Sequence, residues 1–401
     1  ALKSLVLPAL YSDRAELSVP GRASAARAGS DIAGYAPPAT AGRLPGLGRW
    51  DVVVAGSGAG GAAVAARLAQ GGAKVLLLEK GGWASPQPDA SEAVSRYYTG
   101  AGFVAALGRS MIPVPTGTAV GGTTAINSGT CMRTPGEALE RWEETGRGRF
   151  TKAEFERRRD EAWRLLKVRG APARTFSGSS RLVLEGLERL GGPTAEPVDR
   201  CEDGCEGSGR CCFVCPKGAK VTSARAFLET LQGDPRLTLS PLTSLTGIRP
   251  PAKAGDSVRL TVRRRDSGLT EDLECGRLVL AAGPLATPYF VRRFRLGSAW
   301  RLAGDGLSLH PATKVFGLFQ EPVDGWKGVP QGLGFDDLAD PAIRYEGVYT
   351  PPELAAITMP LEGGRLRWWM DRYRHVATFG FMIRDAGRGT VRHPFGPDLP
   401  V

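Results

Sequence analysis

A glycine-rich turn is the pattern in this sequence that points most directly to chemistry. Residues 56–61 read GSGAGG and give the spacing Gly-x-Gly-x-x-Gly through Gly56, Gly58 and Gly61. Between a strand and a helix, the first glycine permits a tight turn, the second lets the backbone approach a pyrophosphate, and the third allows close helix packing. Unpaired N–H groups at the helix start hold the phosphates. The turn, including Ser57 and Ala59, therefore predicts a dinucleotide site.

An acidic residue stands where such a site needs one. Glu79, followed by Lys80, ends the next apolar run about 20 residues after the turn, where a carboxylate accepts hydrogen bonds from ribose hydroxyls. A 2′-phosphate on the ribose would meet this carboxylate as a like charge. The pair of features therefore favours a dinucleotide without that phosphate, and both NAD and FAD satisfy it.

A second stretch, residues 121–130 (GGTTAINSGT), combines glycines with small hydroxyl residues. Such residues favour close backbone contact and hydrogen bonding to a ligand. Taken alone, the stretch is explained equally well by a plain turn. Its candidate ligand contacts are Gly121, Gly122, Thr123, Asn127, Ser128, Gly129 and Thr130.

Five of the seven cysteines lie between positions 201 and 215. Cys211, Cys212 and Cys215, the last followed by proline, have the character of iron–sulfur ligands. Structural zinc is a second interpretation, although adjacent cysteines suit a zinc knuckle only in part. A structural loop, stapled by disulfides if the protein is exported, is a third. The spacing leaves all three open.

The three histidines give no catalytic base. His310, His375 and His393 stand singly in the sequence, and a lone histidine is most often a satisfied structural residue. We therefore assign none of them to proton transfer.

The glycine turn needs a strand before it and a helix after it. Residues 51–55 are a short, continuously apolar run, which is typical of a buried parallel strand. Residues 62–70 are rich in helix formers, and residues 74–79 form the next apolar run. Together they predict a βαβ unit. Farther along, residues 277–283 predict another buried strand that ends in a small-residue turn.

The chain length of 401 residues favours two domains. We predict an N-terminal lead-in over 1–48, a nucleotide-binding domain over 49–304 with a cysteine-rich loop near 198–222, and the start of a β-rich domain over 305–401. A charged helix is expected over 151–166, where Thr151 and Glu154 fit a capping box.

The amino-acid composition limits the classes of binding partner to be expected. The net charge is +11, but arginine is scattered and no basic block alternates with aromatic residues, so a basic surface is favoured over nucleic-acid binding. No apolar run reaches about 18 residues, so no transmembrane helix is expected. The chain begins at Ala1 without methionine and stops at Val401. We expect a fragment open at both ends, so that its localisation stays unknown.

At this point the sequence resembles the glucose–methanol–choline (GMC) oxidoreductases. The resemblance rests on the glycine turn, the Gly-Gly-Thr…Asn stretch and residues 281–288 (AAGPLATP), which occur in the family's order. It implies an FAD whose ADP half lies on the βαβ unit, with the 122–130 stretch along the pyrophosphate and flavin. It also implies that Leu245 meets the adenine and that Ala282 and Gly283 close over the cofactor.

The resemblance implies a fold and a reaction. The fold is α/β: a Rossmann-like FAD-binding domain with a parallel sheet, and a β-rich α+β substrate domain that is incomplete at its C-terminus. The reaction is oxidation of a CH–OH group by hydride transfer to the flavin, with an electron acceptor that the residues do not identify. Residues 211–220 and 309–311 are most similar to bacterial members related to long-chain alcohol and sterol oxidases.

Two alternatives to alcohol oxidation follow from the same residues. One is an electron-transferring FAD dehydrogenase with an iron–sulfur cluster in the Cys201–Cys215 loop, although the spacing departs from that of cluster-bearing relatives. The other is a non-catalytic FAD-binding fragment. In the family, a histidine with a second histidine or asparagine acts near the C-terminus. We expect these residues beyond Val401, and we expect the fragment alone to be inactive.

Overall fold

The computed structural model describes residues 49–87, 89–146, 151–253, 255–336, 340, 342–347, 349–398 and 400. The lead-in predicted over 1–48 lies outside these residues. The helices are α1 (Ala59–Gln70), α2 (Ala90–Tyr97), α3 (Gly136–Thr145), α4 (Lys152–Leu165), α5 (Gly178–Leu190), α6 (Gly283–Arg293), α7 (Pro352–Thr358) and α8 (Gly363–Asp371).

Short strands alternate with these helices. They are β1 (Trp50–Ala55), β2 (Val75–Leu78), β3 (Ala105–Ala106), β4 (Ile112–Pro113), β5 (Val168–Gly170), β6 (Glu196–Pro197), β7 (Asp199–Cys201), β8 (Leu237–Ser240), β9 (Thr243–Arg249), β10 (Val258–Arg264), β11 (Thr270–Leu280), β12 (Asp305–Leu307), β13 (Ala312–Leu318), β14 (Leu333–Asp336), β15 (Ile343–Tyr345), β16 (Val376–Ile383) and β17 (Gly389–Thr390).

The first sheet carries the predicted βαβ unit. Its strand order is β8-β2-β1-β11-β10-β9. The four neighbouring strands β8, β2, β1 and β11 run parallel. Strands β11, β10 and β9 form an antiparallel meander. Because β1 lies at the centre of the parallel strands, its carboxyl end opens where nucleotides bind in doubly wound sheets.

Helix α1 can pack tightly on this sheet because its inner face is small. Ala62, Ala65 and Ala69 are fully buried there and share an apolar cluster with β1 and β2. Side chains of this size let a helix approach the strands closely and add little entropy cost on burial. The close approach fixes the turn that joins β1 to α1.

A second sheet of five strands has the order β13-β16-β15-β14-β6 and is antiparallel throughout. Its neighbours α7 and α8 bury an apolar cluster built around Trp326, Met370 and Tyr373. Strand β6, at residues 196–197, joins this sheet from before the predicted domain boundary near 304. The second sheet therefore includes residues from before position 304 as well as after it. The domain boundary near 304 stays a prediction.

The α/β class with a Rossmann-like parallel sheet is confirmed. The helix predicted over 62–70 begins three residues earlier, and the strand predicted over 277–283 is the end of the longer β11. The helix predicted over 151–166 forms over Lys152–Leu165, and the Thr151 side chain accepts a hydrogen bond from the Glu154 N–H. No described helix combines the length and apolar character needed to cross a membrane.

Candidate cofactor-binding site

The turn between β1 and α1 requires glycine for two separate reasons. Gly56 has φ +109°, a conformation that other residues rarely adopt, and a Cβ there would lie 2.4 Å from the Ala281 carbonyl oxygen. At Gly61, a Cβ would lie 1.8 Å from the Gly56 carbonyl oxygen. The first glycine therefore permits the turn, and the third permits the contact between the helix and the turn.

The second glycine stretch packs directly against the first. A Cβ on Gly122 would lie 2.8 Å from the Gly58 Cα, and Gly122 itself has φ +55°. The neighbouring Gly121 N–H donates to the Ser57 hydroxyl over 3.0 Å. Two stretches that are more than 60 positions apart in the sequence thus form a single surface made largely of backbone.

Glu79 holds this surface together from behind. Its carboxylate accepts hydrogen bonds from the Ser57 N–H (3.0 Å), the Ser57 hydroxyl (2.8 Å) and the Gly81 N–H (2.8 Å). Burial raises the pKa of Glu79, and these hydrogen bonds oppose the shift. Sequence reasoning assigned Glu79 to a ribose; that role stays a prediction, whereas its bonds to the turn were not foreseen.

A cleft of about 760 Å³ opens at the carboxyl end of β1. Its volume lies in the range of pockets that bury sizeable organic ligands. Ten predicted contact residues line it: Gly56, Gly58, Ala59, Glu79, Lys80, Gly122, Thr123, Leu245, Ala282 and Gly283. The first turn of α1 also faces it, and the first N–H groups of a helix have no partner within the helix. The cleft thus offers N–H donors and a positive helix end to an anion.

The other predicted contact residues lie outside the wall of this cleft. Ser57 and Gly121 are joined to each other by a hydrogen bond, Ser57 is also bonded to Glu79, and Gly61 packs against the Gly56 carbonyl. Asn127, Ser128, Gly129 and Thr130 belong to a neighbouring stretch, residues 125–131, whose carbonyl groups face the cysteine-rich loop. The buried Asn127 Oδ1 atom has no protein partner.

The cleft also contains residues that sequence reasoning missed. Thr99 and Thr116 enter from the segment after α2, and Arg263 and Arg265 from the end of β10. Asp398 lines it too and forms an ion pair with Lys80 over 2.6 Å. Apart from Arg263 and Arg265, which belong to one run of three arginines, these residues come from separate segments, so no local pattern in the sequence marks the set.

The cysteine-rich loop is held by protein contacts. All seven cysteines lie in the described residues, and none forms a disulfide. Across the part of the chain that the structure describes, no three His, Cys, Asp or Glu side chains are grouped to hold a metal ion. Cys205 and Cys215 instead join an apolar cluster with Phe176 and Val329. These contacts favour the structural interpretation of the loop.

One histidine lies beside the cleft. The ring Nε2 of His393 is 2.6 Å from the carbonyl oxygen of Leu285, a cleft residue. The His393 ring also packs edge-on against Tyr289, and burial lowers its pKa. The hydrogen bond to a main-chain carbonyl engages the Nε2 atom of His393 within the protein.

The fold and the cleft define a dinucleotide-binding α/β protein whose site is built from two glycine stretches. Comparison with models of known protein families assigns the chain to one of them. The family model described as GMC oxidoreductase matches residues 94–312, and an FAD binding domain model matches residues 51–95. The chain belongs to the GMC oxidoreductases, and its cofactor is FAD.

Individual relatives agree with this assignment. A GMC-type oxidoreductase of Mycobacterium tuberculosis is 38% identical over 357 residues, which are 87% of this chain and 55% of that protein. One of Sinorhizobium fredii is 31% identical and covers 88% of this chain and 69% of its own length. A long-chain-alcohol oxidase of Arabidopsis thaliana is 26% identical over 85% of this chain and 48% of that protein. The chain thus spans about half the length of several curated relatives it matches.

Solved structures show the same fold. Pyridoxine 4-oxidase from Mesorbium loti superposes with a TM-score of 0.62 at 18% identity, covering 88% of this chain and 75% of that one. Formate oxidase superposes with a TM-score of 0.62 at 14% identity, covering 86% and 74%. At such low identity these likenesses concern the fold alone.

Proposed function

We propose that this chain is the FAD-binding part of an enzyme that oxidises the CH–OH group of a small-molecule alcohol, with a lipid-like primary alcohol as the preferred substrate class. The observation that carries the proposal is the joined surface of the two glycine stretches at the carboxyl end of β1. The similarity to long-chain-alcohol oxidases supports the choice of substrate class.

The residues of the cleft fit FAD. Gly122 packs on Gly58 so closely that a Cβ on Gly122 would lie 2.8 Å from the Gly58 Cα, and the wall of bare backbone that results suits a pyrophosphate. Thr243, Ser244 and Leu245 line the same cleft from β9, where the resemblance to the family expects the adenine. In this arrangement Gly58 and Ala59 would hold the phosphates, and Ala282 and Gly283 would cover the cofactor from above β11.

FAD supplies a two-electron acceptor when it is bound. Bound FAD would take up the hydride that leaves when the alcohol C–H bond breaks, and the hydroxyl proton would pass to a base as the C=O bond forms. The chain's own residues bind and orient the cofactor. The proton acceptor is not assigned to His310, His375 or His393.

A stopped-flow experiment without oxygen tests the proposal. Residues 1–401 are expected to release FAD on denaturation and to keep their visible flavin absorbance when an alcohol is added. In a form of the protein that also carries the family's C-terminal proton acceptor, a long-chain primary alcohol is expected to bleach that absorbance in one turnover while the aldehyde forms. A tertiary alcohol of equal size serves as the matched control because it has no hydrogen on the carbinol carbon. Bound FAD that no alcohol bleaches in this longer form would instead support a non-catalytic FAD-binding role.

A further inference from the structure

Two buried cations lie beneath the 125–131 segment. Arg200, at the centre of β7, is 2% exposed, and Lys220, in the cysteine-rich loop, is 7% exposed. Neither was singled out by sequence reasoning, and neither lines the cleft. Charged side chains are rarely buried this deeply unless they are paired, so their presence needs an explanation.

Lys220 donates to three carbonyl oxygens. Its Nζ lies 2.8 Å from the Ala125 oxygen, 2.9 Å from the Asn127 oxygen and 2.7 Å from the Cys211 oxygen. An ammonium group has three N–H donors, whereas a neutral amine has only two. Burial lowers the pKa of Lys220. However, three short bonds to acceptors that cannot donate require the charged form.

Arg200, in strand β7, also binds the 125–131 segment. One terminal nitrogen, Nη2, donates to the Ser128 carbonyl and lies 3.2 Å from the Cys211 sulfur, and Nη1 donates to the Gln331 carbonyl over 3.1 Å. A guanidinium stays protonated in proteins. Arg200 and Lys220, here called the buried cation pair, therefore place two positive charges against three carbonyls of one short segment.

The charges near the pair do not cancel it. The carboxylate of Glu202 is occupied by Arg169 over 2.5 Å and by the Cys205 N–H over 2.7 Å. A hydrogen bond from Cys131 lowers the pKa of the Cys201 thiol, with help from both cations and against the effect of burial. Even a fully ionised Cys201 thiolate would offset only one of the two positive charges, so the site keeps a net positive charge.

We propose that the buried cation pair raises the reduction potential of the flavin by placing uncompensated positive charge behind the 125–131 segment. The inference rests on the proposed function and on the flavin position that the resemblance to the family implies, along residues 122–130. A reduced flavin that carries negative charge is stabilised by fixed positive charge, and more strongly in a dry setting, where the dielectric constant is low. Arg200 and Lys220 are positioning residues, since they act through the backbone and the field.

The test measures the potential of the bound flavin in the FAD-loaded protein with a reference dye. Lys220→Met and Arg200→Gln each remove one charge, and each is expected to lower the equilibrium constant for reduction about tenfold, or about 30 mV for a two-electron couple. Arg200→Lys keeps the charge and is expected to keep the potential. Lys217→Met, at an exposed lysine of the same loop that pairs with Glu206, is the matched control.

The measured potentials, FAD retention and thermal stability distinguish the ways in which the proposal can fail. If Arg200→Gln and Lys220→Met hold FAD at the wild-type potential, the proposal is wrong and the pair only braces the backbone. Bracing alone would lower FAD retention and thermal stability in Arg200→Gln and Arg200→Lys alike, without separating their potentials. If Lys220→Met does not fold, the comparison of Arg200→Gln with Arg200→Lys decides. A wild-type protein without FAD would overturn the proposed function itself, and this inference with it.

Discussion

The glycine turn and the buried cation pair both support surfaces that we assign to the cofactor, but they are built in opposite ways. The turn is made of backbone, and its residues matter because they lack side chains: a Cβ on Gly61 would reach within 1.8 Å of a carbonyl oxygen. The cation pair is made of the longest polar side chains in the protein, and it holds carbonyls more than 70 positions away. The first arrangement tolerates no added atom, and the second tolerates no lost charge.

This difference predicts different consequences of substitution. At the turn, an added atom must displace backbone, so the damage affects folding and cofactor binding together. At the cation pair, a neutral side chain of similar size leaves the backbone in place and changes the electrostatics. Substitutions at the backbone site should therefore have the largest effect, and substitutions in the cysteine-rich loop the smallest.

Gly61→Val is expected to abolish FAD binding. Its side chain would overlap the Gly56 carbonyl and approach the Ala281 side chain, so helix α1 must move away from β1. We expect a loss of unfolding free energy of about 3 kcal/mol or more and a protein without flavin colour. Thermal melts and the spectrum of the purified variant measure both.

Gly60→Ala is the matched control for that substitution. Gly60 lies in the same helical turn, but a Cβ there would meet no atom within 4 Å. Because alanine is the better helix former, the variant is expected to gain roughly 0.5–1 kcal/mol. Gly60 itself lines the cleft, so this control is read by thermal melts and not by FAD content. An equal loss of stability in both variants would show that general disturbance of the α1 start, and not the Gly61 contact, destabilises the protein.

The same contrast explains what could be predicted from the sequence. The turn was predictable because Gly56, Gly58 and Gly61 are local and their spacing follows from the geometry of one βαβ unit. Glu79 follows β2 and lines the cleft, but its bonds to Ser57 depend on how β1 and β2 align, which the sequence does not show. Arg200 could not be predicted, since the carbonyls it binds come from segments that meet only in the folded protein.

In the second sheet, a buried side chain again takes part in a hydrogen-bond network. Glu346, 1% exposed, accepts a hydrogen bond from the Gln331 amide, and the Gln331 side chain also accepts one from the Thr130 hydroxyl. Burial raises the pKa of Glu346 to about 7, and the nearby Arg344 guanidinium opposes this shift. A buried carboxyl thus connects to the 125–131 segment through one glutamine.

The direction of the pH effect follows from the raised pKa. A carboxyl that binds its proton more tightly in the folded state favours folding at low pH, and this contribution is lost as the pH rises through about 7. Relative to Glu346→Gln, the wild-type protein should lose unfolding free energy between pH 4.5 and 7, on the order of 3 kcal/mol at 1.36 kcal/mol per pKa unit.

Denaturant titrations of both proteins at several pH values measure this difference. Asp336→Asn is the control, because it removes the other carboxylate bound to Arg344, over 2.7 Å, at an exposed position. It should keep most of the wild-type pH profile. If the pH dependence of the unfolding free energy is lost in Asp336→Asn and kept in Glu346→Gln, the titrating group is the exposed Asp336 and not the buried Glu346.

The smallest effect is expected at Cys215, where a cluster ligand would instead produce a large one. Its thiol is partly buried among apolar side chains, so Cys215→Ser should cost less than about 1 kcal/mol and leave the flavin spectrum unchanged. Cys275→Ser makes the same chemical change at a fully buried position in β11 and should cost more. Iron and acid-labile sulfide that are present in the wild type, lost in Cys215→Ser and kept in Cys275→Ser would establish a cluster. In that case the charge of the buried cation pair would face bound thiolates, and its effect on the flavin would have to be measured again with the cluster in place.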